Sequence, residues 1–451
     1  MDFMLDALIS ERLKKLSNIR EAGRNPYPSK SGRNFDTADV LARFSKLEKA
    51  KTSVTLAGRI NSIRNQGNIV FIDLFDGTAS MQVVLSKKEA QHFEFWKKNL
   101  DIGDISEFRG KLFKTKRGEK SLGAIHARML TKSIRPLPQS WFGLKDEEER
   151  LRKRYIDILL DPDLRRTFEK RSEYIRKLRE LLWEEGFIEV ETPILQPIPG
   201  GALARPFETK HNALGQNFYL RIAPELYLKR LLVGGFNKIF EIGRVFRNEG
   251  MDREHNPEFT MLELYWTYAD YRDMIGLTKK ILKPIVKGKW AEVSYIDAVK
   301  KYAGKSEAEI RRMKGGPLDE LFKKQVRPKL VKPTIVYGLP KSLSPLAKSV
   351  EGDEEITERF QFIIDGMEIA NGFSELNDPI DQRERMEEQE KMYRGGDEEA
   401  SRMDEDFLEA LEYGMPTAAG LGVGIDRVAA LYAGKKSIKD VIIFPTLRNK
   451  K

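Results

Sequence analysis

Residues 239–247 read IFEIGRVFR, and residues 255–263 read HNPEFTMLE. In the first stretch the side chains alternate with the period of two that is typical of a β-strand. The alternation puts Phe240 and Ile242 on one face, and the other face carries Glu241, Gly243, Val245 and Arg247. Since burial of an unpaired charge is costly, an arginine in such surroundings needs an anionic partner.

A second arginine, Arg427, follows the glycine-rich run GLGVGID at residues 420–426. Arg247 and Arg427 each allow two interpretations. Each could form an internal salt bridge, or each could bind a phosphate or carboxylate, to which a guanidinium donates two parallel hydrogen bonds. The glycine run is neither a Walker loop nor a dinucleotide-binding fingerprint, so it does not decide between them.

The chain around these stretches predicts an α+β domain. From Phe187 onward, strand and helix patterns mix without regular βαβ alternation, which favours an antiparallel sheet with helices packed on it. Before this region, apolar residues at helical spacing predict a long helix that ends at Gly186; they are Phe168, Ile175, Leu178 and Leu182. The charged run at 145–154, KDEEERLRKR, is interpreted as a solvated helix start.

The first third of the chain predicts a small β-barrel. Residues 5–20 have a helical apolar pattern, and residues 23–34 read as a loop. Then come three β-rich runs, a helix and two further strands, at 54–63, 69–75, 78–85, 87–99, 104–114 and 121–131, with turns at Asp76-Gly77 and Arg117-Gly118. This is the order of an OB-fold, a five-stranded barrel that binds oligonucleotides.

The predicted domains are therefore an N-terminal helix and linker at 1–50, an OB-fold barrel at 51–135, a linker at 136–150 and an α+β domain at 151–451. Charge follows this division. Residues 1–140 contain 26 Lys and Arg against 15 Asp and Glu, whereas the rest contains 53 against 54. A basic barrel indicates a polyanionic partner, although a merely basic surface would have the same composition.

Composition also excludes several classes of protein. The 451 residues contain no cysteine, which rules out disulfides, thiolate metal sites and cysteine nucleophiles. Four scattered histidines disfavour a histidine-built metal site. No apolar run approaches the ~20 residues of a membrane span, and residues 1–20 have no signal-peptide core. We therefore expect a cytoplasmic protein without a membrane partner.

Several stretches together resemble the class II aminoacyl-tRNA synthetases. Residues 246–250 (FRNEG) and 255–263 resemble motif 2 in its lysyl form. Residues 186–193 (GFIEVETP) resemble motif 1, and residues 420–427 resemble motif 3. Three further stretches resemble segments specific to lysyl enzymes: residues 198–202, 221–226 and 371–378. The resemblance extends from about Val54 to Arg448. It implies ATP-dependent ligation of L-lysine to tRNA(Lys) through lysyl-adenylate, with release of AMP and pyrophosphate, by a class II catalytic domain that forms a homodimer.

The resemblance also implies roles for individual residues. Arg247 would hold the α-phosphate of ATP and the lysine carboxylate, and Arg427 would contact adenine and the γ-phosphate; both are the expected catalytic residues. The nucleotide would further contact Glu249, His255 and Phe259, with Phe259 stacked on adenine. Lysine would be bound by Gly201, Glu225, Arg247, Glu263, Tyr265, Asn371 and Glu375, with Glu225, Glu375 and Tyr265 around its ε-ammonium.

Magnesium is expected with ATP. The family has a carboxylate at two positions, but this chain has Gln361 at the first and Glu368 at the second. Glutamine still offers a neutral oxygen to Mg²⁺, which keeps several waters. The expected ligands are therefore Glu368, Gln361 and Glu375. A shorter stretch than in relatives, residues 287–329, should alter only a peripheral surface.

In the barrel, the resemblance assigns Phe71 and Gln82 to reading the anticodon, and Arg59 and Arg64 to phosphate contacts. Phe71 could instead belong to the barrel core. Three alternatives to the lysyl reaction exist: an aspartyl or asparaginyl synthetase, a lysyltransferase that lacks the barrel, and a catalytically inactive or repurposed relative acting as an RNA-binding protein. An acidic pocket disfavours an aspartyl or asparaginyl synthetase, and the presence of the barrel disfavours the lysyltransferase. Intact Arg247 and Arg427 disfavour the inactive relative.

Overall fold

The computed structural model describes residues 2–138 and 146–449. The chain divides into two compact units, Met1–Lys145 and Asp146–Lys451. The boundary lies within the predicted linker at 136–150, of which residues 139–145 are outside the described residues. Among the described residues, no helix is both long enough and apolar enough to cross a bilayer.

The first unit is an OB-fold barrel with three preceding helices. Its strands close in the order β1-β2-β3-β5-β4, with β3 and β5 parallel and the other pairs antiparallel. The elements are α1 (Asp2–Glu21), α2 (Thr37–Ala42), α3 (Phe44–Lys49), β1 (Val54–Gln66), β2 (Ile69–Phe75), β3 (Ser80–Ser86), α4 (Phe93–Asn99), β4 (Ile105–Lys114) and β5 (Lys120–Thr131).

Two local features of the barrel follow from turn chemistry. Asp76 accepts hydrogen bonds from the backbone N–H groups of Thr78 and Ala79, and Gly77 has φ +92°, so the predicted turn connects β2 to β3. The helix predicted from residue 87 was too long, because α4 begins only at Phe93. The preceding residue, His92, has φ +56°, which no right-handed helix accommodates.

Residues 1–50 do not form a body of their own. Ile19, Val40, Phe44 and Leu47 are buried in the same apolar cluster as the barrel strands. On the barrel side of α1, Lys15 and the fully buried Lys132 share a charge network with aspartates: Lys132 Nζ lies 2.5 Å from Asp101 and 2.8 Å from Asp104. Helices, loop and barrel therefore belong to one packed unit.

The second unit is α+β, with an eight-stranded sheet flanked by helices. Two smaller sheets accompany it, of two and three strands. The strands of the whole unit are β6 (Ile188–Glu189), β7 (Leu195–Gln196), β8 (Phe207–His211), β9 (Gln216–Leu220), β10 (Lys238–Phe246), β11 (Glu258–Thr267), β12 (Ala291–Ser294), β13 (Thr334–Tyr337), β14 (Ser349–Val350), β15 (Asp353–Thr357), β16 (Arg359–Ile364), β17 (Met367–Ser374) and β18 (Ala418–Gly424).

The helices of this unit are α5 (Glu147–Arg152), α6 (Arg154–Leu160), α7 (Pro162–Glu184), α8 (Glu225–Val233), α9 (Tyr271–Leu282), α10 (Tyr295–Ala303), α11 (Glu307–Arg312), α12 (Gly316–Leu321), α13 (Pro379–Arg394), α14 (Glu405–Glu412) and α15 (Ile425–Ala433). Short turns of other helix types follow α12 and lie at Lys341–Leu343 and Ile438–Asp440.

The large sheet has the order β12-β13-β16-β17-β18-β11-β10-β6. Its six inner strands are antiparallel, as predicted, but the pairs at both edges, β12 with β13 and β6 with β10, are parallel. The sheet is therefore mixed. The reason is that both edge pairs are joined by long connections that contain helices, and such crossovers let strands run in the same direction.

The charged run before α7 was interpreted as solvated, and this is wrong for its last residue. Arg154 is buried, and its guanidinium lies 3.0 Å from the Asp157 carboxylate and donates to two backbone carbonyls. The run contains α5 and the start of α6 rather than the first turn of α7. The predicted end at Gly186 is correct, since Gly186 has φ +84° just after the last helical turn.

Candidate active site

The site is built around β11, which pairs with β10 on one side and β18 on the other. Arg247 follows β10 directly, and its backbone N–H donates to the Pro257 carbonyl at 2.9 Å. The guanidinium lies over the Phe259 ring, 5.2 Å from its centre, and Nε donates to the Ile222 carbonyl at 3.4 Å. Within the described parts of the chain, both terminal nitrogens of Arg247 are without a hydrogen-bond or ion-pair partner.

The surroundings of Arg247 include the other residues predicted for the nucleotide. Burial lowers the pKa of Arg247; Glu249 opposes this, and the charge of Arg427 adds to it. An arginine stays protonated even so. Glu263 and Glu368 also act on the group electrostatically. The structure therefore brings two guanidinium groups and several carboxylates to one place.

Arg427 lies in the first turn of α15 and is held by backbone and side-chain contacts. Nη1 donates to the Glu368 carbonyl oxygen at 2.7 Å, and Nη2 lies 3.2 Å from His255 Nε2. The other ring nitrogen of His255 faces Asp252 at 2.9 Å. Arg427 thus connects α15 to β17 and to the loop that contains His255.

The orientation of α15 depends on a residue that sequence reasoning missed. Asp426 accepts a hydrogen bond from the Thr260 N–H and another from Arg171 Nη2, both at 2.8 Å, and it is almost completely buried. These two bonds fasten the first turn of α15 to β11 and to α7. Arg427 is the next residue, so its direction follows from this anchor.

A second group of charges lies at the start of α8. Glu225 and Glu375 are 6% and 1% exposed, and between them lies Lys229, which is 0% exposed. Lys229 Nζ donates to Glu225 Oε1 at 2.6 Å and lies 2.5 Å from Glu375 Oε2. Burial raises the pKa of Glu375 to about 8, which Lys229 opposes and Glu225 reinforces. The contact with Glu375 lacks hydrogen-bond geometry, and its Oε1 has no hydrogen-bond partner among the described residues.

Tyr265 and Glu263 belong to the same cluster. They are two residues apart on β11, so they share a face of the sheet. Tyr265 donates its hydroxyl hydrogen to Glu263 Oε2 at 3.2 Å. Burial raises the pKa of both groups well above their usual values, and nearby carboxylates contribute in the same direction.

Glycines on β18 leave space for these large side chains. Gly420 pairs with Tyr265, and Gly422 pairs with Glu263. A Cβ added at Gly420 would lie 2.2 Å from Glu375 Oε1 and 2.6 Å from the Tyr265 ring. Glycine is therefore required at position 420 by close approach, and this part of the GLGVGID run makes room for Glu375 and Tyr265.

The two remaining residues predicted for lysine binding lie at the edges of the cluster. Gly201 has φ +85°, and a Cβ added there would lie 2.8 Å from the Glu225 Cβ. Asn371 pairs with Gly422 in the sheet, and its Oδ1 accepts from Arg359 Nε at 2.8 Å. Both therefore neighbour residues of the cluster, with the Asn371 side-chain oxygen already bound.

Comparison with known proteins agrees with this geometry. Residues 146–448 match the family described as tRNA synthetases class II (D, K and N), and residues 54–130 match the OB-fold nucleic acid binding domain. The lysine–tRNA ligase of Syntrophomonas wolfei is 45% identical, with 97% of this chain and 96% of that protein covered. The lysine–tRNA ligase of Pelotomaculum thermopropionicum is 43% identical, with 98% of this chain and 95% of that protein covered. Lysine–tRNA ligase 2 of Methanosarcina acetivorans is 43% identical, with 98% of this chain and 94% of that protein covered.

The chain belongs to the lysine–tRNA ligase family of class II synthetases. The predicted family and fold class are therefore confirmed. The individual site residues are not tested by these matches and remain predictions.

In this synthetase the predicted metal ligands separate into two places. Glu368 and Gln361 are in contact, because Gln361 Nε2 donates to Glu368 Oε2 at 2.7 Å. Gln361 Oε1 is buried with no partner among the described residues. Glu375 follows β17 directly, seven residues beyond Glu368, and contacts Lys229. Its assignment as a metal ligand stays a prediction.

The barrel residues predicted to read the anticodon lie on its outer surface. Phe71 alternates with the buried Val70 and Ile72, so it is not part of the barrel core. The Arg64 guanidinium lies over the Phe71 ring at 6.0 Å from its centre. Two further predicted residues already have partners: Gln82 Nε2 donates to Ser121 Oγ, and Arg59 Nη1 to the Gly103 carbonyl, each at 2.8 Å.

Lys229 is the most important residue that sequence reasoning missed. Its position four residues after Glu225 on a helix was a readable signal, because side chains at i and i+4 lie on the same helix face. Its approach to Glu375, 146 residues later in the chain, had no local signal. The same holds for Arg171, whose partner Asp426 is 255 residues away.

We predict that Gly420→Ala destabilises the second unit by about 1–3 kcal/mol, as expected for overpacking of a filled interior. The matched control is Gly422→Ala on the same strand, where the nearest atoms to the new Cβ are 3.8 Å away. Thermal unfolding followed by circular dichroism measures both variants. Equal melting temperatures for Gly420→Ala and Gly422→Ala would contradict the close packing at Gly420.

Proposed function

We propose that this chain catalyses ATP-dependent ligation of L-lysine to tRNA(Lys), through lysyl-adenylate, with release of AMP and pyrophosphate. The observation that carries the proposal is the pairing of two unlike sites. One is the guanidinium of Arg247, whose terminal donors have no partner among residues 2–138 and 146–449, and the other is a buried acidic cluster around Glu225 and Glu375. Nothing in the matched families favours an inactive RNA-binding relative.

The acidic cluster suits the ε-ammonium of lysine. Glu375 Oε1 is buried, unpartnered among the described residues and next to Tyr265 across Gly420. A cation brought to this oxygen would stabilise its charged form, since an opposite charge lowers the pKa of a carboxyl group. A neutral side chain would leave buried carboxylate oxygens unpaired, which is the kind of penalty that gives large discrimination between substrates.

The other end of lysine would meet Glu263 and Arg247. Glu263 is buried, and its only side-chain hydrogen bond within the described residues comes from the Tyr265 hydroxyl, so it can accept from the α-ammonium. Arg247 would bind the carboxylate together with the α-phosphate of ATP. Gly201 and Asn371 would border the α-amino and carboxylate groups. The fork of two parallel N–H donors in arginine fits such planar or tetrahedral anions.

The nucleotide would lie between Phe259 and Arg427. Phe259 is partly exposed beside Arg247, and Arg427 is directed by its bonds to the Glu368 carbonyl and His255. Adenine would stack between the phenyl ring and the guanidinium, and Glu249 and His255 would bond its edge or the phosphates. Cation–π and stacking contacts of this kind are favourable for planar bases.

The reaction needs no protein nucleophile. The lysine carboxylate attacks the α-phosphorus and pyrophosphate leaves; a terminal ribose hydroxyl of tRNA then attacks the carbonyl carbon of lysyl-adenylate and AMP leaves. Arg247 would balance the charge on the α-phosphoryl oxygens, and Arg427 that on the leaving pyrophosphate. Catalysis then consists of positioning and electrostatic stabilisation, which are the main contributions in phosphoryl transfer.

Magnesium fits the residues present, with one carboxylate fewer than the family pattern. Among the described residues, no group of three or more histidines, cysteines, aspartates or glutamates is arranged so that it could hold a metal ion. Mg²⁺ bound with a nucleotide, however, needs only one or two protein ligands. Glu368 would supply a carboxylate and Gln361 Oε1 a neutral oxygen. When bound, the ion would neutralise phosphate charge. The amide of Gln361 meanwhile keeps Glu368 oriented.

The barrel would bind the anticodon stem-loop of tRNA(Lys). Phe71, Gln82 and Arg64 lie on adjacent strands β1 to β3, and Arg64 pairs with Phe71 in the register. This is the surface on which OB-folds bind oligonucleotides. Phe71 would stack a base, Gln82 would bond a base edge, and Arg59 and Arg64 would contact phosphates.

We also propose a cytoplasmic homodimer. Apolar side chains that are 44–55% exposed lie within or next to residues 186–193, the segment that resembles motif 1: Trp183, Ile188, Ile194 and Leu195. Exposed apolar groups concentrated in one segment are typical of a protein interface. The absence of cysteine from the sequence is in keeping with a reducing compartment.

The proposal predicts that lysine alone among the common amino acids supports ATP–pyrophosphate exchange by the purified full chain, and that total tRNA is then charged with lysine. Exchange isolates the first half-reaction, and charging reports both. Exchange with aspartate or asparagine, or no exchange with any amino acid, would contradict the proposed function.

We predict that Arg247→Ala lowers lysine-dependent exchange by at least about 10²–10³-fold, the loss typical of removing one preorganised charge donor. Arg244→Ala is the matched control. Arg244 lies three residues earlier, is exposed and faces Glu258 at 3.5 Å, so its removal should leave exchange nearly normal. Similar exchange rates for the two folded variants would exclude the role of Arg247.

We predict that Phe71→Ala raises the KM for tRNA but leaves lysine-dependent exchange unchanged, because a stacked base contributes about 1–3 kcal/mol in such folds. Ile125→Ala is the control, since Ile125 is 43% exposed on β5 of the same barrel. Steady-state charging and exchange assays measure both steps. A loss of exchange parallel to the loss of charging would show that Phe71 is structural.

A further inference from the structure

Lys229 is an unusual neighbour for a site that receives a cation. Its side chain is completely buried, and its ammonium lies between the two carboxylates proposed to bind the ε-ammonium of the substrate. Besides these carboxylates, the rings of Phe373 and Phe407 lie 5.3 and 5.9 Å from Nζ. Lys229 therefore belongs to the wall of the pocket and is held there from several elements.

The charges around it can be counted. Glu225 and Glu375 carry two negative charges when ionised, and Lys229 supplies one positive charge. The nearby Glu241 does not enter this count, because it forms a buried ion pair with Arg221 and accepts a hydrogen bond from Thr192. The end of the pocket is left with one net negative charge, which equals the charge of one ammonium group.

The same count can be made for the five charged groups proposed to surround lysine. Glu263 adds one negative charge and Arg247 one positive charge, and each has donors or acceptors left for a ligand. Among these five groups, three carboxylates and two cations leave one net negative charge. Lysine at neutral pH has two ammonium groups and one carboxylate, so its single net positive charge balances these five groups. Neutrality matters here because burial of uncompensated charge is costly.

We propose that Lys229 is a specificity-determining residue: a built-in cation that cancels one of the two pocket carboxylates, so that the pocket accepts one and only one substrate ammonium. This inference rests on the proposed lysine-binding role of the cluster. Lys229 also positions the carboxylates. It contacts one oxygen of each, which leaves Glu375 Oε1 for the substrate.

The test uses substitutions that change charge but keep size, in the full chain, with KM for lysine, KM for ATP and kcat measured by exchange. Glu375→Gln leaves the pocket end with no net charge, and we expect KM for lysine to rise at least a hundredfold. Addition of Lys229→Met to this variant restores one net negative charge. We expect the double variant to regain at least tenfold in KM for lysine, with KM for ATP within threefold of the parent.

Arg230→Met in the Glu375→Gln background is the matched control. It removes a positive charge from the next residue of α8, but Arg230 pairs with Asp404 at 2.8 Å and has no contact with the pocket carboxylates. This double variant should therefore not regain lysine affinity. The single variant Lys229→Met should raise KM for lysine about tenfold, because two buried carboxylates without a cation repel each other.

A double variant that binds lysine no better than Glu375→Gln, or one that does not fold by circular dichroism, would overturn the inference, since Lys229 would then be only structural. Recovery of lysine affinity in the Arg230→Met control would overturn it too, because removal of any nearby positive charge would then restore binding, whatever its contacts. These outcomes differ from failure of the proposed function, in which the parent chain itself would show no exchange with lysine.

Discussion

The register of β11 between β10 and β18 is the constraint on which the site depends. In this register Glu263 stands opposite Gly422, and Tyr265 stands opposite Gly420. On the other side, Phe259 stands opposite Val245, two residues before Arg247. Because side chains alternate along a strand, a slip of one residue would turn Glu263 and Tyr265 to the opposite face. The contacts of Glu263 and Tyr265 with the rest of the site would then be lost together.

Buried charge is the second organising theme, and its treatment differs between structure and site. Three structural charges are matched by ion pairs: Arg154 with Asp157, Arg221 with Glu241, and Arg171 with Asp426. In the candidate site the match is incomplete. Arg247 keeps unpartnered donors and Glu375 an unpartnered oxygen among the described residues. Incomplete pairing in a folded interior is destabilising by itself, and a ligand of complementary charge removes the penalty.

Gln361 illustrates how one side chain can keep a site while altering its charge. It donates a hydrogen bond to Glu368, where a carboxylate at the same position would face another carboxylate at close range. The neutral amide therefore removes a like-charge repulsion and keeps Glu368 oriented. Because a neutral oxygen attracts a cation less than a carboxylate does, an ion held here would depend more on Glu368 and on the phosphates of its nucleotide.

Local pattern was enough to predict much of this protein. Turn chemistry at Asp76-Gly77, the β-rich run of β2, alternation in β10 and the glycine after α7 predicted elements that the structure contains. These signals act between residues close in sequence. The motifs indicated the family and the candidate residues. Pattern failed where a local rule met a tertiary one: the start of α4 at the left-handed His92, the burial of Arg154, and the parallel edge strands.

Only the tertiary structure decided which charges meet. Lys229 reaches Glu375, and Arg171 reaches Asp426, across long separations in the chain that no periodicity records. It also gave Glu368 and Glu375 different partners, Gln361 and Lys229. The sequence by itself determined the residue types, their local elements and the family. The packing of strands and helices determined their partners, because electrostatic and hydrogen-bond contacts depend on distance in space and not on distance along the chain.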